Sequence, residues 1–304
     1  MRNKKQLLFT LSMFLFVVFN SNSQELLDIL ESEAPKPTLY TQATFKANRI
    51  LTTQSVETRK KGTLEFVLGT RYWNIPNNDN SQSFAADRFS GHLASQYAFS
   101  DRFTLGAGIT SFDGIINGFG KYRLLRQTID KKTPISITLV QAISYFTRNF
   151  TIFTLPEDSS DRFSYATQAI IGSKIDRNLS LQVVPSYIRT NVDEPVSNKN
   201  DFLALGFGGR YKISNHVSIA SEYGLLFGRD EGSDEGFNLF SLGVNWEISD
   251  LIMQFSMTNA KGFDDIGTYK INPTNFNFRQ GSLHIGVNAT YVLHLKKRKP
   301  VLIK

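Results

Sequence analysis

The stretch FLALGFGGRYKISNHVSIASEYGLLFG, Phe202 to Gly228, alternates between two kinds of side chain. Before the turn Ser214-Asn215-His216, almost every second residue is apolar or aromatic, and the residues between them are small or charged. The same alternation returns after the turn. Because successive side chains of a β-strand point to opposite faces, the stretch predicts an antiparallel hairpin that separates an apolar from a polar environment.

This period of two recurs from residue 62 to residue 295, and no helical period is found there. We predict about twelve strands, at 62–72, 88–99, 102–110, 115–127, 133–146, 161–175, 178–190, 201–213, 216–228, 236–248, 250–259 and 281–295. Ten and fourteen strands remain as alternatives, because the fourth segment lacks clean alternation and Pro185 falls inside the seventh.

The connections between these segments alternate in length. Short turns such as Ser100-Asp101 and Ser249-Asp250 join each even strand to the next odd one, whereas the other connections are mostly long. Membrane barrels sort their turns and loops in this way, and a soluble sandwich has no reason to do so. The predicted fold is therefore an all-β, transmembrane, antiparallel up-and-down β-barrel, with its apolar face toward lipid.

Aromatic residues distinguish this fold from an exported soluble β domain, in which the apolar face would be the core. They concentrate near both strand ends with aliphatic residues between them, as in the interfacial girdles of membrane barrels. Those near the short turns are Phe99, Phe103, Tyr211, Trp246 and Tyr291, and those near the long loops are Phe89, Tyr145, Phe163, Tyr165, Tyr187 and Phe227.

The first residues have the pattern of a secretory signal peptide. Arg2, Lys4 and Lys5 precede an apolar run from Leu7 to Phe19, which is followed by small polar residues. We assign 1–23 to a signal peptide, 24–61 to a periplasmic N-terminal segment or lumen plug, 62–295 to the barrel, and 296–304 to a basic C-terminal tail.

Charge and cysteine content exclude several classes of function. The chain has 34 Lys and Arg and 27 Asp and Glu; without the three basic residues of the signal, 34 − 3 = 31 basic residues leave a net charge of +4. This excess is too small to indicate a nucleic-acid partner. Because the chain has no cysteine, disulfides and thiolate metal sites are excluded, and we expect no cofactor.

Two segments resemble a family of uncharacterised β-barrel proteins of Gram-negative bacteria. The resembling residues are Phe45-Lys46, Arg49-Ile50, Ser55 to Thr58, Gly62, Leu64 to Phe66, Ser111 to Asp113 and Lys121 to Arg126. The resemblance implies a barrel in the outer membrane and implies no activity. With the barrel pattern, it leads us to expect periplasmic termini and, as partners, outer-membrane lipid, lipopolysaccharide, the barrel-assembly machinery and small solutes.

The alternation of side chains between the two faces of each strand places charged side chains inside the predicted barrel. The expected lumen-facing residues are Arg71, Arg88, His92, Arg102, Arg162, Lys174, Arg210, Lys212, Glu222, Glu247 and His284. A basic mouth favours anionic solutes, whereas pairing with acids would fill a narrow lumen. We expect Arg210 to reach Glu222, and we expect His92 and His284 to flank the strand that carries Arg71.

The polar segment 41–61 precedes the first strand. An additional strand here would break the even count needed when both termini lie on one side, so we expect either a plug in the lumen or a periplasmic linker. As a plug, it would bind interior polar groups through Lys46, Arg49 and Glu57, with Asn48 and Gln54.

No motif in the chain predicts catalysis or a metal site. The two lumen histidines lack a third ligand, and His216 and His294 lack a nucleophile motif such as G-x-S-x-G. The pair Asp264-Asp265 lacks calcium-loop spacing and is expected to be solvated. The sequence favours porin-like passage of small solutes; a barrel that anchors a periplasmic or surface partner is the alternative, and a lipid hydrolase is less favoured.

Overall fold

The computed structural model describes residues 38–74, 87–111, 114–147, 158–190, 200–228, 236–270, 272, 274–276 and 284–295. The predicted signal peptide and basic tail lie outside these residues. In the part of the chain that is described, no helix is long and apolar enough to cross a membrane.

Twelve strands form one closed antiparallel barrel, so the predicted fold class is confirmed. They are β1 (Thr63–Trp73), β2 (Arg88–Ala98), β3 (Phe103–Thr110), β4 (Ile115–Leu125), β5 (Ser136–Phe146), β6 (Phe163–Lys174), β7 (Leu179–Thr190), β8 (Asp201–Lys212), β9 (Val217–Phe227), β10 (Leu239–Ile248), β11 (Leu251–Thr258) and β12 (His284–His294). Each strand pairs with its sequence neighbours, and β12 closes the barrel on β1. Closure leaves no unpaired sheet edge.

The two ends of the barrel differ in their connections. The short-turn end carries the turns after β2, β4, β6, β8 and β10, and the long-loop end carries the others. Asp176, in the turn after β6, accepts backbone N–H groups of Asn178 at 2.6 Å and Leu179 at 2.8 Å. These two bonds stabilise the charged form and lower the pKa of the Asp176 carboxyl, so the turn closes on an ionised side chain.

The hairpin of β8 and β9 shows how the two faces separate. Tyr211 and Ile219 are paired on the outer face and exposed, whereas Gly208 lies opposite the buried Glu222 on the inner face. Exposed large apolar side chains recur on the outer face of the other strands. This surface suits lipid, because lipid removes the cost of exposing apolar groups to water.

Pro185 occupies the outer face of β7 without changing the strand register. It lies opposite Leu205 of β8, and on its other side the pairing with β6 is interrupted between Gln168 and Ile171. A proline has no N–H to donate, so the ladder loses local bonding beside it. The register on both sides of the gap is the same.

Arginine on the outer face is expected to destabilise the barrel according to its depth. Phe207→Arg, in the middle of β8, should lower the free energy of unfolding by about 2–4 kcal/mol, and Tyr211→Arg, near the end of the same strand, by about 0–1 kcal/mol. Urea titration in lipid vesicles measures both. Equal losses would contradict a lipid-facing belt.

Candidate functional site

The lumen is filled by two segments of the chain. The first, residues 40–61, is here called the N-terminal plug; it enters at the short-turn end and returns there to begin β1. The second, residues 260–270, is called the loop plug; it folds inward after β11 at the long-loop end. Most residues of both segments are buried, so the candidate site is an occupied lumen.

The N-terminal plug is a tight hairpin. Its two arms meet at an antiparallel bridge between Arg49 and Gln54. A hydrogen bond of 3.0 Å from the Ile50 N–H to the Thr53 carbonyl closes the turn between them. This turn directs the backbone and hydroxyl donors at the hairpin tip toward the lumen wall.

Glu222 of β9 binds the tip of the N-terminal plug. Its carboxylate accepts the backbone N–H and the hydroxyl of Thr52 at 2.8 and 2.6 Å, and those of Thr53 at 2.9 and 2.5 Å. Glu222 is buried. Four donors satisfy the lone pairs of a buried carboxylate, and bonds to an ionised acceptor are stronger than neutral ones. This is the densest polar contact between plug and wall.

Two ion pairs join the arms of the plug to the wall. Lys46 Nζ lies 2.6 Å from a carboxylate oxygen of Glu247 on β10. Glu57 receives a hydrogen bond of 2.8 Å from the Arg123 guanidinium on β4. The partners are partly or largely shielded from water, where opposite charges interact more strongly than at an open surface.

Glu65 of β1 is a third anchor. It is fully buried, accepts a hydrogen bond of 2.6 Å from the Asn48 side chain, and forms an ion pair with Arg59. The wall residue Gln96 also donates to it. The plug therefore meets a wall carboxylate at its tip and in both arms.

Apolar packing supplements these polar contacts. An apolar cluster joins plug and wall through Phe45, Ile50, Leu51, Val56, Val140, Ile170, Val184 and Ala220. Glycines in the wall leave space for it: a Cβ at Gly208 would lie 2.3 Å from Ile50 Cδ1, and one at Gly243 would lie 2.8 Å from Leu51 Cδ2. The wall is thus complementary in shape to the plug.

The loop plug is held from the side of β1. The Arg71 guanidinium donates to the carbonyls of Ala260, at 2.9 Å, and Gly262. It also lies 4.2 Å from the centre of the Phe263 ring, which stacks on His92 with ring centres 4.9 Å apart. Arg71 and His92 therefore position the loop plug.

Tyr269 anchors the other side of the loop plug. It lies in the short helix α1 (Gly267–Lys270) and is buried. A Cβ at Gly206 would be 2.3 Å from its hydroxyl oxygen, and one at Gly224 would be 2.8 Å from its ring. These glycines of β8 and β9 make room for the ring.

The two plugs meet at Asp265. Its carboxylate lies 3.1 Å from the Arg49 guanidinium and accepts a hydrogen bond of 3.2 Å from Gln54. The neighbouring Asp264 accepts the Ser144 hydroxyl at 2.7 Å, and burial raises the pKa of its carboxyl. The expectation that Asp264-Asp265 is solvated is therefore wrong, because wall and plug supply partners that lie far away in sequence.

The predicted lumen residues fall into three groups. Six line the inner wall and are buried or nearly so: Arg71, His92, Arg210, Glu222, Glu247 and His284. Arg162, Lys174 and Lys212 are partly exposed at strand ends. Arg88 and Arg102 are exposed at the two rims, so their orientation toward the lumen stays a prediction. Their parity fits the inner face, but they lie where the wall ends and water hydrates their charges.

Arg210 faces the lumen but does not bind Glu222 as expected. It donates to the Ser218 hydroxyl at 3.0 Å and lies 3.6 Å from Glu247. Glu222 instead binds the plug threonines. We expected Glu222 as the partner of Arg210 from strand pairing alone. The N-terminal plug, which lies outside the sheet, occupies Glu222.

The lumen histidines serve as hydrogen-bonding groups. His92 Nδ1 is 3.1 Å from the Thr110 hydroxyl, and His284 Nδ1 is 3.1 Å from the Ala260 carbonyl. They lie on the strands that flank Arg71. Among the residues that the structure describes, no three His, Cys, Asp or Glu side chains are grouped to hold a metal.

Sequence reasoning missed several residues that bind the plug. Gln182 donates to the Gln54 carbonyl at 2.7 Å and accepts the Val56 N–H at 3.1 Å. Gln254 donates to the Ile50 carbonyl at 2.5 Å. Both glutamines lie at inward positions of their strands, so parity was a usable signal for them. Their partners are backbone groups, which carry no signal in the sequence.

Filling the space of a wall glycine should loosen the N-terminal plug. Gly208→Val places atoms where Ile50 packs, and overpacking of this kind costs about 1–3 kcal/mol. Gly209→Val, its outward neighbour, is the control, since a Cβ there meets ordinary contact at 3.4 Å. We expect trypsin to cleave after Lys46 or Arg49 faster in Gly208→Val alone. Equal cleavage in both variants would contradict the packing described.

The chain is similar in fold to several solved structures. These include the KdgM porin in complex with disordered oligogalacturonate (11% identity, 76% of this chain and 99% of that chain covered, TM-score 0.46). They also include the NanC porin (8%, 76% and 98%, 0.45) and the COG4313 outer membrane channel from Pseudomonas putida F1 (14%, 78% and 98%, 0.44).

Sequence comparison gives a clearer relationship. No curated protein matches the chain. A family model described as a membrane bound beta barrel domain (DUF5777) matches residues 45–293, which cover most of the N-terminal plug and nearly all of the barrel. Barrels of this design, with an even number of strands, short turns and longer loops, are those of bacterial outer membranes. The chain belongs to the family of membrane bound beta barrel domains.

Proposed function

We propose that this protein is a gated barrel for the passage of small solutes across the outer membrane, closed here by its N-terminal plug together with the loop plug that this plug meets at Asp265. The observation that carries the proposal is the binding of the plug tip to Glu222 by four hydrogen bonds. The plug joins the wall covalently only through β1, so these contacts can separate while the barrel stays closed on itself. In this proposal the short-turn end, where β1 begins and β12 ends, faces the periplasm.

The chemistry of the inner wall supports passage after the plug leaves. Glu65, Glu222 and Glu247 would then face the lumen with Lys121 and Arg123. A wall of charged and polar groups can be hydrated, as in barrels that conduct. A plug that never leaves the lumen would be stabilised equally well by apolar side chains, since buried ion pairs often stabilise no better than apolar packing.

Weakening the Glu222 contact should open the barrel. Glu222→Gln keeps the size of the side chain but removes the charge that binds four donors. Hydrogen bonds to charged groups contribute about 1.5–3 kcal/mol each, so the loss of one already raises the open fraction about tenfold. Planar-bilayer recordings of the full chain measure the current. Asp250→Asn, in an exposed turn, is the control. Glu222→Gln without current at any voltage would refute a gated passage.

Locking the plug tests whether its movement is required. A Cβ at Gly172 would lie 3.0 Å from Val56 Cβ, within reach of a disulfide after slight adjustment, and the chain has no other cysteine. Val56→Cys with Gly172→Cys should abolish pentose uptake into proteoliposomes, and a reductant should restore it. Each single cysteine variant is the control. Uptake through the oxidised double variant would contradict gating by this plug.

A barrel that anchors a partner is the second candidate. The observation that favours it is the match between wall glycines and plug side chains at Gly208 and Gly243, because a permanent plug would gain most from such packing. This function predicts that the locked variant keeps its periplasmic or surface partner and that Glu222→Gln carries no current. Experiments on Glu222→Gln and on the locked variant therefore distinguish the two candidate functions.

A further inference from the structure

The closed barrel shields the carboxyl group of Asp264 completely from water. The residue belongs to the loop plug, and its exposed fraction is 0%. One oxygen, Oδ2, accepts the Ser144 hydroxyl of β5 at 2.7 Å and the Gly267 N–H of α1 at 3.1 Å. The other oxygen, Oδ1, is buried and has no hydrogen-bond partner among the described residues. An ionised carboxylate has about four acceptor sites, so two donors compensate a charge on Asp264 poorly.

Positive charge near Asp264 is engaged elsewhere. Within the described ranges, no ion pair includes Asp264. The Arg49 guanidinium pairs with the neighbouring Asp265 at 3.1 Å, and the Lys121 ammonium donates to the Asn48 carbonyl at 3.2 Å. A buried charge without a counter-charge is costly, and a second carboxylate beside it increases that cost.

A proton on Asp264 would supply a donor that this part of the lumen lacks. Asn117 lies directly opposite Ser144 in the pairing of β4 with β5, and both side chains are buried on the inner face. Opposite residues on one face have Cβ atoms about 4.5–5.5 Å apart, which brings the Asn117 amide beside the hydroxyl that binds Asp264. Asn117 Oδ1 is also buried without a partner. Two buried acceptors without donors favour the neutral acid, since its O–H donates and an ionised carboxylate cannot.

The titratable groups on the elements around Asp264 do not offset its charge. The inner face of β5, which holds Asp264, carries no titratable side chain. The groups on the neighbouring elements are Lys261, Asp265, Tyr269 and Lys270 of the loop plug, Arg49 of the N-terminal plug, and Lys121 and Arg123 of β4.

Burial raises the pKa of the Asp264 carboxyl above its ordinary value of 3.8. The hydrogen bonds from Ser144 and Gly267 oppose this change, and the negative charge of Asp265 adds to it. A carboxyl whose pKa is raised in the seated loop stabilises seating fully below its ordinary pKa. That contribution is lost as the pH rises through the raised value, because the released loop binds the proton less tightly.

We infer that Asp264 is a proton-controlled latch: its protonated side chain holds the loop plug inside the barrel, and loss of the proton to water releases residues 260–270. The ionised carboxylate then gains its missing hydrogen bonds from water. This adds a pH-dependent closure to the contact that holds the N-terminal plug at Glu222. The inference concerns the seating of the loop plug and holds whether or not a solute passes.

Trp73 can report the seating of the loop plug. It is 4% exposed, and Lys261 Nζ of the loop plug lies 5.6 Å from the centre of its ring. The other tryptophan of the chain, Trp246, is exposed on the outer face, so Trp246→Phe leaves one reporter. In this background, fluorescence emission should shift reversibly to longer wavelength between about pH 4 and pH 10, because water reaches Trp73 when the loop leaves.

Asp264→Asn is the matched variant in the same background. Its carboxamide keeps the size of the side chain and, like the neutral acid, has both a donor and an acceptor. Its emission should therefore stay at the short-wavelength position throughout the titration. Asp161→Asn, at an exposed position of the long-loop end, is the control and should keep the transition. An equal transition in Asp264→Asn, or no transition with Asp264 present, would overturn the latch.

Deuterium exchange of the unmodified chain covers the case in which Asp264→Asn fails to fold. After correction for the chemical exchange rate, residues 260–270 should exchange about tenfold faster or more at pH 9 than at pH 5, since one proton shifts the equilibrium up to tenfold per pH unit. Residues 50–55 should keep their protection, because Glu222 still holds them. Equal protection of 260–270 at both pH values, or equal loss in both segments, would contradict a latch at Asp264. Neither readout measures passage, so a negative result leaves the proposed function standing.

Discussion

The contact between Glu222 and the tip of the N-terminal plug organises the lumen. A carboxylate at this depth requires several donors, and the turn at Thr52 and Thr53 supplies four from two consecutive residues. With the tip in this place, Arg49 and Gln54 reach Asp265 of the loop plug. This contact thus places the tip where it meets the loop plug, which the wall holds separately through Arg71 and Ser144.

The barrel wall separates lipid on the outside from the plug-filled lumen on the inside. Outside, exposed residues such as Phe207 and Tyr211 suit lipid. Inside, wall glycines accept apolar plug side chains, while carboxylates and guanidinium groups meet opposite charges on the plug. This inner surface combines shape complementarity with contacts that water can replace. That combination is why a gated passage and an anchored plug are both physically reasonable, and why movement of the plug distinguishes them.

Much of the fold could be predicted from local pattern. Strand positions were predicted to within three residues at every boundary, because alternation and short turns act between neighbours in sequence. Parity also placed Glu222 and Arg210 inside. It could not show that Arg88 and Arg102 are exposed at the rims, since alternation says which way a side chain points but not where the wall ends and water begins.

By itself, the sequence determined the strands, their two faces and the closure of the sheet, because a period of two and the turn residues encode them locally. Only the tertiary structure decided what fills the lumen. The partners of Glu222, Asp265 and Gln182 are separated from them by more than a hundred residues. Several of them are backbone groups common to every residue, so no sequence pattern marks them. Which plug groups pair with which wall residues depends on where the closed wall holds each side chain.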